Sequence, residues 1–389
     1  MTLLTIVSKQ IWPHVLAVAH LKPTSLILLH SEDRNESYLP AQRIKKLIET
    51  TGLLPKGNVA LSPIPHDDFS EIGRSLDALA ASRKIDLNEC VLNFTGGNKL
   101  MATAGFRWAG RRSVRACYLE RGNNLIWFEP GEGEAKTRTE RVAGDICNTI
   151  DPLPLLRCQL DASEVERDGE KITLSRKGNE ISDADFFARV QNGNRVHDFL
   201  TIEGVADQSV KEGDALELLA AAVLLKLGVP QVRRSLRLKV KSGAGIPTRK
   251  PHAELDLLFN WSGRLWLVDC KDRKAPEHLA RALAKCLEAT LLPQQAKDLL
   301  RRIESELSIG QTKVLKEDLI SMREMGGLLG QIVCLRKDEL GEEVSQFARS
   351  QRIEVVLKRD LVSGLRALLF PNRPAAKADL ADLATKFSP

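Results

Sequence analysis

Over its first ~130 residues the chain alternates short apolar runs with amphipathic stretches, a rhythm that few folds can satisfy. Residues 3–7, 26–29, 59–64, 91–94 and 114–119 read as strands, with helical patterning at 42–50 and 69–82 between them. Strands that alternate with helices imply a mostly parallel sheet covered on its faces. Ligands of such sheets bind at the carboxyl ends of strands, near the point where strand order reverses. Asn123 and Asn124 mark a turn, residues 125–128 a further strand, and residues 131–141 an exposed loop.

At 389 residues the chain has room for about two domains of roughly 150 residues each. Its 43% hydrophobic and 28% charged residues are the balance of a globular protein and exclude wholesale disorder. The longest apolar run, residues 218–225, is far too short to cross a bilayer, and the N-terminus lacks a secretory pattern. Seven cysteines without a C-x-x-C pair fit reduced thiols better than disulfides or a zinc ribbon, so a cytoplasmic location is expected. The net charge of +6 is unevenly spread: residues 218–253 hold eight Lys or Arg and no acidic residue. Such a run either attracts a polyanion or is a solvated basic face.

The sequence divides into residues 1–145, a connector at 146–210 that opens on Asp151-Pro152, and residues 211–389. The last part begins with Asp214, a helix N-cap candidate, and a helix that Gly228 would end. Strands at 233–241, 252–260 and 264–271 follow, then a long helical stretch over 276–309 and strands at 331–335 and 353–357.

The strongest chemical signal lies on a predicted hairpin, H-A-E-L-D-L-L-F-N-W-S-G-R-L-W-L-V-D-C-K. Ser262-Gly263 is a plausible two-residue turn, which pairs Trp261 with Arg264, Asp256 with Asp269, and Glu254 with Lys271. Residues two apart share a face, so all four of these side chains project to one side. Facing carboxylates destabilise a sheet unless something lies between them. A hard divalent cation, Mg2+ or Mn2+, is the natural candidate for that place. Lys271 beside it would position a water or steady charge on a phosphate. Glu254 is either a ligand or the partner of Lys271. Glu217 adds a carboxylate if its helix packs beside the hairpin, although Asp214-x-x-Glu217 is also a capping-box spacing.

Asp256, twelve intervening residues, then Asp269-Cys270-Lys271, after a helical glutamate, resembles the PD-(D/E)xK nuclease signature. The proline of that signature is absent here. The resemblance implies a restriction-endonuclease-like domain in which Glu217, Asp256 and Asp269 hold the metal and Lys271 serves the attacking water.

A second motif lies where the strand at 91–94 runs into Thr95-Gly96-Gly97-Asn98-Lys99 and a helix begins. Glycines allow close backbone approach, and a helix N-terminus carrying a lysine favours phosphate. The pattern matches neither G-x-x-x-x-G-K-[ST] nor G-x-G-x-x-G, so an ordinary nucleoside-triphosphate or dinucleotide site is not indicated. Residues 100–119 carry only four charges, all arginine: Arg107, Arg111, Arg112 and Arg115.

T-G-G-N-K-L-M-A resembles the ligand loop of CRISPR-associated Rossmann-fold (CARF) sensor domains, and S-K-Q-I-W-P-H-V-L is similar to the first ligand loop of one subgroup. In that subgroup the sensor is fused to a C-terminal PD-(D/E)xK nuclease. The resemblance implies an α/β chain with a Rossmann-like first domain. It implies a homodimer that binds a cyclic oligoadenylate, usually cyclic tetra-adenylate, and then cleaves DNA or RNA with a divalent metal. Thr95, Gly96, Gly97, Asn98 and Lys99 would contact the ring, and Ser8, Lys9 and Gln10 would form the first loop. Two rivals remain at this point: a ligand-responsive transcriptional regulator, and a constitutive repair nuclease.

Overall fold

The computed structural model describes residues 1–120, 123–130, 136–160, 165–192, 196–203, 215–239, 252–271, 298, 315–317, 319–323, 325–326, 330–337 and 339–371. The chain divides into two compact units, one built mainly from Met1–Ala162 and the other mainly from Ser163–Pro389.

The first unit runs β1 (Thr2–Ile6), α1 (Trp12–Leu21), β2 (Ser25–His30), α2 (Leu39–Thr50), β3 (Val59–Pro63), α3 (Phe69–Ser82) and β4 (Cys90–Asn93). It continues with α4 (Lys99–Arg111), β5 (Arg115–Leu119), β6 (Asn124–Glu129), β7 (Lys136–Arg141) and α5 (Pro152–Gln159). Its seven strands are ordered β3-β2-β1-β4-β5-β6-β7. Neighbours from β3 to β5 are parallel, while β6 and β7 are antiparallel. Parallel strands covered by helices are buried on both sides and therefore read as continuous apolar runs. Leu3, Leu4, Ile6, Leu26, Leu28 and Leu29 are all buried accordingly. The order reverses between β1 and β4, so the loops that leave these two strands flank the switch point.

One expectation for this unit is corrected. Residues 136–141, read as loop, form β7, which pairs with β6 from Asn124↔Arg141 to Glu129↔Lys136. An edge strand needs no apolar face, so Lys136, Thr137, Arg138 and Thr139 all remain exposed. The Arg138 guanidinium lies over the Trp127 ring, 5.4 Å from its centre, and donates to Glu140 Oε2 at 2.9 Å.

The second unit contains β8 (Val165–Arg167), β9 (Glu170–Leu174), α6 (Arg176–Glu180), α7 (Asp183–Gln191), β10 (Leu200–Ile202) and α8 (Ala215–Lys226). After them come β11 (Val232–Lys239), β12 (His252–Trp261), β13 (Arg264–Lys271), β14 (Gln331–Arg336), α9 (Glu342–Ser350), β15 (Ile353–Leu357) and α10 (Leu361–Leu369). The sheet order is β10-β9-β11-β12-β13-β14-β15, and β8 pairs with β11. β14 lies parallel to β13, and β15 parallel to β14. Helix α8 is apolar on every side after Glu217 and is buried almost throughout, against α7, α10, β9 and β11. Gly228, at φ +100°, ends the chain's excursion from that helix as expected. Asp214 and, apart from residue 298, the helical stretch expected over 276–309 lie outside the described residues.

Three residues of the basic run have acidic partners. Lys226 donates to the carbonyls of Gly178 and Ile181 and pairs with Asp183 at 3.1 Å. Arg234 pairs with Glu170 at 2.5 Å, and Arg237 lies 3.7 Å from Glu166. These partners come from β8, β9 and α7. Lys241, Arg249 and Lys250 lie outside the described residues. The expected α/β class is the one observed: a first unit with a parallel sheet core and a second unit with a mixed sheet. No described helix is long and apolar enough to cross a membrane.

Candidate functional site

In the first unit, β4 ends at Asn93 and the chain passes through Thr95-Gly96-Gly97-Asn98 into α4. Asn98 caps that helix by accepting from the Met101 amide at 2.8 Å, and its Nδ2 donates to the His66 carbonyl at 2.9 Å. Asn93 Oδ1 accepts from the Thr95 amide at 3.1 Å and from the Thr95 hydroxyl at 2.6 Å. Thr95 Oγ1 in turn accepts from the Leu119 amide at 2.8 Å, which ties the loop to β5. A Cβ on Gly96 would come within 2.2 Å of the Ile6 carbonyl, and Gly97 adopts φ +78°. Both glycines are therefore demanded by the backbone, one by close approach and one by handedness.

Lys99 is exposed at the first turn of α4. Ser8, Lys9 and Gln10 lie in the loop between β1 and α1, across the switch point from the glycine loop. Lys9 pairs with Glu36, and the Gln10 amide donates to Ser8 Oγ at 3.4 Å. Three of the four arginines of residues 100–119 have partners within this unit. Arg112 grips Asp77 through Nε and Nη2 at 2.8 and 2.9 Å, Arg107 covers Phe69, and Arg115 covers Trp127. The Arg112 hydrogen bond holds the Asp77 carboxyl below the usual carboxylate range.

In the second unit the hairpin forms as the sequence predicts. Ser262 and Gly263 both have positive φ, +53° and +69°, the signature of a type I′ turn. Phe259 and Trp266, opposed in the predicted register, stack with ring centres 5.5 Å apart. Asp256 and Asp269 are buried, at 6% and 3% exposure. Lys271 Nζ lies 2.9 Å from Asp269 Oδ1 and 3.8 Å from Asp256 Oδ2, so three of the expected residues converge.

A fourth member of the cluster was not legible in the sequence. Arg336, at the end of β14 and only 5% exposed, donates from Nη2 to Asp269 Oδ2 at 2.6 Å. Its Nη1 reaches the carbonyls of Asp269 and Leu335 at 3.3 and 2.9 Å. Both oxygens of Asp269 thus meet a cation, one from its own hairpin and one from the parallel neighbour.

Electrostatics separate the two aspartates. Burial pushes the Asp256 carboxyl up to about 7, against the pull of Lys271 and with the push of Asp269. Burial acts on Asp269 too, but Arg336 and Lys271 outweigh it and hold that carboxyl below its ordinary value. The pair therefore carries one negative charge more readily than two. Lys271 is raised despite its burial, because both aspartates favour the ammonium.

The remaining candidates stand apart. Glu217, on α8, is near enough to help raise the Cys270 thiol, an effect led by burial. Among the described residues no group of three or more His, Cys, Asp or Glu side chains is arranged to hold a metal. Glu254 is exposed on β12 opposite Arg237, and the Lys271 ammonium turns to the aspartates. What remains still fits a hard divalent cation: two buried carboxylates lie together on adjacent strands.

No protein-family model matches the sequence, and no curated protein does either. Solved structures do. The chain matches Can2 from Sulfobacillus thermosulfidooxidans, solved in complex with cyclic tetra-adenylate (cA4), with TM-score 0.55 and 15% identity over 94% of this chain and 95% of that one. It also matches protein VC1899 from Vibrio cholerae, with TM-score 0.59 and 12% identity over 95% of this chain and 97% of that one. At such identities the likeness is one of fold, and it spans both units.

Proposed function

We propose that this chain is a cytoplasmic CRISPR ancillary endonuclease, switched on by cyclic tetra-adenylate bound to a dimer of its first unit. The observation that carries the reading is the buried convergence of Asp256, Asp269 and Lys271 on adjacent strands. The likeness in fold to Can2, solved with cyclic tetra-adenylate, supports the choice of activator. Thr95, Gly96, Gly97, Asn98 and Lys99 would meet the ring from one side of the switch point, and Ser8, Lys9 and Gln10 from the other. A glycine loop at the start of α4 would offer backbone amides and a favourable helix dipole to a phosphate.

Asp256 and Asp269 would hold Mg2+ or Mn2+, which supplies positive charge to the phosphate and lowers the pKa of a bound water. Lys271, kept protonated by its two aspartates, would orient the attacking water and face the charge that develops on the phosphate oxygens. Arg336 fixes the rotamer of Asp269 from behind. Glu217, on α8 near Cys270, would supply a third carboxylate to the metal.

The test is cleavage of plasmid and single-stranded nucleic acid with Mn2+, with and without cyclic tetra-adenylate. Cleavage that requires both is the expected result. Equal cleavage without the ring favours a constitutive nuclease, and none under any condition favours a regulator. Calorimetry adds the dimer: a ring on a two-fold axis binds once per two chains, so a ratio of one ring per chain contradicts that part of the reading.

A further inference from the structure

We infer that His14 and Asn93 are positioning residues for the glycine loop, buried donors that receive its carbonyl oxygens when its amides turn outward to a phosphate. The inference rests on the sensor reading above and deepens it.

Peptide N–H and C=O groups point in opposite directions from one plane. A loop that presents amides to an anion must therefore aim carbonyls back into the protein, where each needs a donor. Two such donors stand beneath Thr95–Lys99. His14, in the first turn of α1, is 0% exposed, and its Nδ1 lies 2.8 Å from Thr5 Oγ1. Its Nε2 has no hydrogen-bond partner among the described residues. A Cβ on Gly96 would lie 3.1 Å from that nitrogen, so Nε2 faces the loop backbone directly.

Asn93 is the second donor. It is also 0% exposed, and its Oδ1 is fixed by Thr95, which identifies the other atom as the amide nitrogen. That Nδ2 has no partner among the described residues. Thr5 and Asn93 are directly opposed on β1 and β4, so the two donors belong to one place in the fold.

In this scheme the Thr5 hydroxyl donates to Nδ1 and the imidazole carries its proton on Nε2. Burial pushes the His14 pKa down to about 4, so the ring is neutral near pH 7 and carries one proton. Buried donors without acceptors are rare because each costs its lost hydration. A loop movement that brings them carbonyls removes that cost while it turns amides to the ligand. Gly97, already at φ +78°, and Gly96 give the loop freedom for such a turn. Neither His14 nor Asn93 touches the ligand in this scheme; both act through the loop.

The test compares full-length parent, His14→Phe and His14→Gln, with cyclic tetra-adenylate as the probe. Phenylalanine keeps a flat ring and loses both nitrogens, while glutamine returns a donor close to Nε2. Calorimetry should show affinity at least tenfold weaker for His14→Phe, about 1.4 kcal/mol, and His14→Gln within about threefold of the parent. On the 15N-labelled parent, the His14 Nε2 proton should move downfield as the ring binds, a reading that needs no variant to fold. A parent that binds no ring overturns the sensor reading and this inference together. A parent that binds, with an unmoved Nε2 proton or with His14→Phe as tight as the parent, overturns this inference alone.

Discussion

Thr5, His14 and Asn93 under the first unit's glycine loop are buried as deeply as Asp256, Asp269 and Arg336 in the second unit, yet the two groups answer burial in opposite ways. The first is neutral: one histidine held uncharged, one hydroxyl and one amide, with hydrogen-bonding capacity in reserve. The second is ionic, and each carboxylate meets a cation within 4 Å. A neutral group with a spare donor can take a new partner without breaking an old contact. A satisfied ion cluster holds its geometry, and anything that binds there must share or displace a charge already in place. The first region is built to respond and the second to hold position.

The largest effect expected from this contrast is on cleavage. Asp256→Asn or Asp269→Asn should lower metal-dependent cleavage by on the order of 10³-fold or more, with ring binding unchanged by calorimetry. Lys271→Ala should lower it by on the order of 10²–10³-fold with metal binding largely kept. Wild-type turnover in either aspartate variant removes the ionic cluster from the chemistry.

Stability comes next. Arg336→Met leaves the buried Asp269 carboxylate with Lys271 alone and should cost about 3–5 kcal/mol in urea unfolding. The double variant Asp269→Leu/Arg336→Leu should recover most of that loss, because removing both partners removes the desolvation cost with the attraction. A double variant no better than the single one would show that the pair supports more than its own burial.

The neutral region predicts a pH effect. The His14 pKa falls from 6.5 to about 4 on folding, so the unfolded chain binds more protons between those values. Stability is then fully present above pH 6.5 and declines as pH falls towards 4, by on the order of 3 kcal/mol from this residue. His14→Phe should flatten the slope of unfolding free energy across that window.

Smaller effects follow. Gly96→Ala places a Cβ 2.2 Å from the Ile6 carbonyl and 2.9 Å from His14 Cε1, so the loop must shift. Ring affinity should fall about tenfold or more, with the melting temperature lowered by a few degrees. Glu254→Gln, on an exposed position, should change cleavage by about twofold at most.

The legible parts of this molecule are those whose physics is local. The Ser262-Gly263 turn announces itself through two residues, and it alone sets the register that brings Asp256, Asp269 and Lys271 together. The parallel strands of the first unit are legible because burial on both faces leaves an uninterrupted apolar run. β7 escapes that rule, since an edge strand of Lys, Thr and Arg looks like a loop when neighbours are unknown. Arg336 escapes for a different reason: its partner Asp269 lies 67 residues away on an adjacent parallel strand, and no spacing rule reaches that far. The acidic partners of Lys226, Arg234 and Arg237 are hidden by the same blindness, because they come from β8, β9 and α7.

The charged edge of the first sheet has one more consequence. Lys136, Arg138 and Arg141 line β7, and the opposite edge strand, β3, is five residues long and closes on Pro63, which has no amide proton to give. A second molecule that tried to extend this sheet, strand against strand, would meet like charges on one side and a missing donor on the other. Fibrous growth by backbone templating is thereby discouraged at both ends of the sheet. Any self-recognition of this unit would then fall to side chains on helices and loops, which can select a single closed partner and stop there.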